Sequence, residues 1–127
     1  MLAINSIEKL KNSKLENILT ELRQAFHIEY GDRLAKIILF GSQARNEAVN
    51  GSDIDILIVL KGEVRPSDEI LKTGGIVTDL SLKYDQVISC VFMSEKRFLH
   101  HNNMLLRNIR HEGIILLPSQ SKNRQRD

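Results

Sequence analysis

The chain has 127 residues, of which 42% are hydrophobic and 27% charged, and a formal charge of +2. That length encloses one core without a second domain of similar size, and the balance excludes disordered and fibrous classes. So small a net charge gives no general footprint for a polyanion, and direct nucleic-acid binding is not expected.

The longest apolar stretches, around 37–40, 54–60 and 114–117, fall far short of the roughly 20 residues that cross a bilayer. No membrane span is expected. The N-terminus, MLAINSIEKLKNSKLENIL, is amphipathic and lacks the apolar core of a secretory signal. The single cysteine, Cys90, lies in VISCVFM and reads as core filler. Together these predict a reducing, cytoplasmic setting.

Over residues 4–26, Ile7, Leu10, Leu15, Ile18, Leu22, Ala25 and Phe26 recur at three- and four-residue steps, which predicts a helix stopped by Gly31. AKIILF (35–40) and SDIDILIVL (52–60) predict two strands, joined by a segment long enough for a short helix. Pro66-Ser67-Asp68-Glu69 opens a helix expected to reach Tyr84, with a kink or break at Gly74-Gly75. QVISCVFM (86–93) predicts the third strand, and Ser94 caps a further helical stretch. MLLRNIRHEG (104–113) predicts a last helix and GIILL (113–117) a short strand. The order implies one α/β (α+β) domain over residues 1–117, a small mixed sheet covered by helices, with the basic tail 118–127 solvated.

One stretch asks for a chemical explanation: GSQARNEAVNGSDIDILIV, residues 41–59. In a strand alternate side chains share a face, so Asp53 and Asp55 point the same way and repel unless a cation lies between them. Mg²⁺ takes oxygen ligands and is commonly held by one or two carboxylates plus substrate phosphates. Two such ions about 3.5–4 Å apart can hold the attacking and leaving oxygens of a displacement at phosphorus. Gly41 permits close backbone approach to a ligand, Ser42 can cap a short helix beginning QAR, and Arg45 offers a fork for a phosphate oxygen. The plainer alternatives are an acidic strand mouth that discourages edge pairing, and an Arg45 that is a surface residue near Glu47.

Gly41-Ser42, ten intervening residues, then Asp53-Ile54-Asp55 resembles the G-S-x10-D-x-D signature of DNA polymerase β-like nucleotidyltransferases, and LFGSQAR…GSDIDILIV resembles their minimal, stand-alone branch. The resemblance implies a polymerase β-like nucleotidyltransferase fold, ATP as substrate, two Mg²⁺ ions, and transfer of AMP to an acceptor hydroxyl. It makes Gly41 and Ser42 phosphate holders, with Asp53 and Asp55 as metal ligands. It also implies a third carboxylate on the third strand, where QVISCVFM has none. Asp85, at the start of that strand, is the candidate catalytic and metal-binding residue, with Asp79 on the preceding helix as the alternative. If the register places the site opposite Ser89 or Val91, the position is vacant.

Small stand-alone members pair with a helical HEPN-domain ribonuclease toxin and silence it by modifying a tyrosine, so the resemblance implies an antitoxin role and a homo- or hetero-oligomer. A catalytically weak nucleotide- or partner-binding regulatory module and a small-molecule modifier are the other classes. None of the four histidines has zinc-ligand spacing, and Arg107 and Arg110 read as an ordinary helix face.

Overall fold

The computed structural model describes residues 12–49 and 51–117. Its first helix, α1 (Ser13–Tyr30), starts later than the apolar periodicity suggested. Asn12 is extended and its side chain accepts from the Leu15 amide, which fixes the helix start. Ile7 and Leu10 lie outside the described residues. Gly31 closes the helix at φ 53.

The strands β1 (Leu34–Phe40), β2 (Ile54–Leu60), β3 (Ile88–Ser94) and β4 (Ile114–Leu117) form one mixed sheet in the order β3-β2-β1-β4. β1 runs antiparallel to β2 and β4, whereas β2 and β3 are parallel. The parallel pair requires a long crossover, supplied by α2 (Pro66–Tyr84). α3 (Glu95–His100) and α4 (Met104–Glu112) follow β3, capped by Ser94 and Asn103 respectively.

Alternation along the strands divides the core into two layers. Ile54, Ile56, Ile58 and Leu60 pack with α1 residues Ile18, Leu22 and Phe26 and with Leu80 of α2. Leu57 and Val59 face the other way, onto Phe98 of α3 and Leu106 and Ile109 of α4. Each such side chain contributes on the order of 1.5–3 kcal/mol when fully buried, so either layer alone would leave half the sheet wet.

The expected interruption at Gly74-Gly75 is absent: α2 continues through both glycines. Two interior glycines cost about 1 kcal/mol each. The buried Thr73 and Leu80 and the half-buried Ile76, Val77 and Tyr84 anchor the helix on both sides of them. Cys90 lies against the α1/α2 layer, where burial pushes its thiol up to about 12, so it stays protonated and inert.

Candidate active site

At one end of the sheet, the register aligns Phe40 of β1, Asp55 of β2 and Ser89 of β3. Their neighbours in the same direction, Leu57 and Val91, belong to the α3/α4 layer, so Asp55 and Ser89 open on that face. Asp53 lies just before β2, exposed, and its charge is felt by Asp55. The two aspartates are therefore close enough for one charge to act on the other, although Asp53 stands outside the strand whose alternation was expected to align them.

β1 ends beside them. Gly41 follows Phe40 with φ 77, and a Cβ built on it would lie 2.5 Å from Asp55 Oδ2. The glycine is needed twice, for its backbone angle and for the room it leaves a carboxylate. Burial first and Asp53 second raise the pKa of Asp55 above the ordinary carboxylate value, an effect that Arg45 partly offsets. A half-buried carboxylate beside a second one is a site whose charge a divalent cation would relieve, and two neighbouring aspartates fit Mg²⁺ by number and donor type.

The turn after Gly41 differs from the expected short helix. Gly41 O accepts from both Ala44 N (3.1 Å) and Arg45 N (3.2 Å), giving one turn that Asn46 ends at φ 58. Among the described residues Ser42 makes no capping hydrogen bond with its side chain. Its amide and that of Gln43 have no hydrogen bond among the described residues, which leaves two donors beside the glycine. Consecutive free amides of this kind form a concavity that accepts anions.

Arg45 is already engaged. Its Nε donates to Glu47 Oε1 and its Nη1 to Glu112 Oε1, both at 2.8 Å, so it ties the turn to the end of α4. Two carboxylates neutralise most of what it could offer a phosphate.

Asp85 is not brought into the group. It caps α2, in the left-handed region at φ 52, and α2 belongs to the opposite layer. With Lys14, Gln43 and Gln86 it lines a different depression, one to which neither Asp53 nor Asp55 contributes. Asp79 is exposed on α2. Among the described residues no three His, Cys, Asp or Glu side chains gather closely enough to share one ion. The position opposite Asp55 is Ser89.

Two residues passed over in the sequence shape this end of the sheet. Gln86 Nε2 (2.6 Å) and the buried Gln43 Nε2 (3.4 Å) both donate to Ser52 O, and Ser52 Oγ accepts from Val49 N (2.9 Å). This knot holds the loop that delivers Asp53. Gln43 gave one usable signal, an uncharged polar residue next to Gly-Ser in a short turn; Gln86 gave none, because its partner is a backbone carbonyl 34 positions away.

A nucleotidyltransferase domain model matches residues 15–116. A protein of Methanocaldococcus jannaschii, named Putative protein adenylyltransferase MJ0604, is 40% identical over 102 residues, covering 80% of this chain and 96% of its own. A second protein of that organism with the same type of name is 39% identical over 72 residues, covering 57% of this chain and 72% of its own. The fold is that of a crystal structure of a toxin-antitoxin with AMP-PNP (TM-score 0.57, 20% identity, 83% of this chain and 74% of that one).

Proposed function

This chain belongs to the nucleotidyltransferase domain family, and from that membership we propose that it transfers AMP from ATP to a hydroxyl on a protein partner. The observation that carries the reading is the approach of Asp55 to Gly41, which sets one carboxylate, with Asp53 near it, against a turn where the Ser42 and Gln43 amides have no hydrogen bond among the described residues. The names of the two relatives support AMP as the group moved and a protein as its acceptor. The fold shared with an AMP-PNP complex supports ATP as the donor.

In this reading the amides of Ser42 and Gln43 hold oxygens of the terminal phosphates, and Gly41 admits them to the backbone. Asp53 and Asp55 would hold Mg²⁺, which would supply the positive charge needed for a triphosphate beside two carboxylates. The acceptor oxygen bonds to the α-phosphorus, the bond from that phosphorus to the bridging oxygen breaks, and pyrophosphate leaves while the acceptor proton passes to solvent. Arg45 keeps its two carboxylates and serves by pinning the turn. Asp85 takes no part at the ion.

The partner in this reading is a HEPN-domain toxin that AMP transfer neutralises, which makes this chain the antitoxin. Incubation of chain, partner, Mg²⁺ and ATP labelled in the α-phosphate should leave label on the partner. Undiminished label with the double variant Asp53→Ala, Asp55→Ala would overturn the mechanism. The serine opposite Asp55 favours one second reading, a regulatory module that binds ATP and transfers nothing; bound ATP without label on the partner identifies it.

A further inference from the structure

We infer that the site accommodates one divalent ion per bound nucleotide, not the pair that the sequence alone suggests. This rests on the nucleotidyltransferase reading above and concerns how its metal is held.

Ligand supply limits the number of ions. Across the end of the sheet, the neighbours of Asp55 are Phe40 on one side and Ser89 on the other. One step beyond the strand, Ile54 N donates to Val87 O at 2.9 Å, which places Val87 alongside the Asp53 end of β2. Val91 follows Ser89 on the same face. The β3 flank of the aspartates is therefore valine, serine, valine, without a negative charge.

The remaining acids do not make up the deficit. Glu47 and Glu112 are both bonded to Arg45. Asp85 caps a helix of the other layer. No group of three metal-capable side chains exists among the described residues.

An octahedral ion needs six oxygens, and two aspartates, two or three phosphate oxygens and water complete one such shell. A second ion about 3.5–4 Å away has to share carboxylates and find its own anionic support. On this sheet it would face the Ser89 hydroxyl, a neutral donor that Mg²⁺ replaces readily with water.

Counting ions tests this without catalysis. Mn²⁺ is titrated into the chain with saturating α,β-methylene-ATP, which cannot release pyrophosphate, and bound Mn²⁺ is read by electron paramagnetic resonance. One Mn²⁺ per chain is expected, one again for Ser89→Ala, and two for Ser89→Asp. Asp53→Asn should weaken nucleotide-dependent Mn²⁺ binding at least 10-fold. Two ions on the parent chain would overturn the inference and leave the nucleotidyltransferase reading standing. No nucleotide-dependent ion on the parent would overturn both. The parent count decides the matter even if Ser89→Asp fails to fold.

Discussion

The carboxylate of Asp55 fills the space that any side chain on residue 41 would require, with Oδ2 2.5 Å from the ideal Cβ position. Gly41→Ala therefore meets two obstacles, a φ of 77 and a carboxylate. The backbone term costs about 1–2 kcal/mol. Displacing Asp55 by about 1 Å should lower AMP transfer on the order of 100-fold. Thermal unfolding and initial rates on the same preparation check both effects; an unchanged rate would show that the close approach is incidental.

Asp55 also predicts a pH dependence. Its pKa in the folded chain lies above the ordinary 3.8, through burial and then Asp53. The folded state thus holds this proton more tightly than the unfolded state, so stability falls as pH rises from the unfolded value through the raised one. Asp55→Asn removes the penalty and should be the more stable protein at pH 7 without divalent ions, by less than about 1 kcal/mol because the group is partly solvated. Urea melts at pH 3 and pH 7 measure it. Saturating Mg²⁺ and ATP should reverse the order, since a ligand that binds only the parent stabilises only the parent.

Ser52 O receives two glutamine amides, and cutting the shorter bond tests what the loop is for. Gln86→Ala should cost about 1 kcal/mol in stability. It should also speed amide exchange over residues 48–53 and raise the KM for ATP more than it lowers kcat. A fall in kcat alone would place Gln86 at the chemistry rather than at the loop.

Far from the site, Tyr30 donates to the buried Glu69 at 2.7 Å, and Arg33 stands 3.7 Å from the other carboxylate oxygen. Tyr30→Phe strips a buried carboxylate of its nearer partner and should cost about 1–3 kcal/mol with transfer activity retained. Denaturant midpoints and rates separate the two outcomes.

Gly74 and Gly75 invite the opposite experiment. Nothing lies within 4 Å of a Cβ added to either, and both are helical. Gly74→Ala and Gly75→Ala should each stabilise the chain by about 0.4–1 kcal/mol, chiefly by restricting the unfolded state. A loss of stability would mean that the helix is not free on that side.

Elements with strong local signals were legible in the sequence. Pro66 with two acids opened α2 correctly, and Ser94 capped α3 as its position suggested. What failed was decided by tertiary context. The start of α1 turned on Asn12 rather than on an apolar pattern extending beyond it. The α2 glycines were carried by packing on both sides of them. Asp85 was placed by proximity to β3 in the sequence, yet its neighbours come from the helix it ends, and only the register of two strands 34 positions apart reveals that Ser89 stands beside Asp55.

The ion pair between Arg45 and Glu112 spans 67 positions of chain, and this has a consequence for biosynthesis. At about 5–20 residues per second, some 3–13 s separate the emergence of the two partners, and β4, which completes the far edge of β1, emerges later still. A growing polypeptide can close the β1–β2 hairpin early, but its glycine turn stays unpinned until α4 arrives. Until α4 and β4 have emerged, the turn beside Asp55 is therefore unfinished.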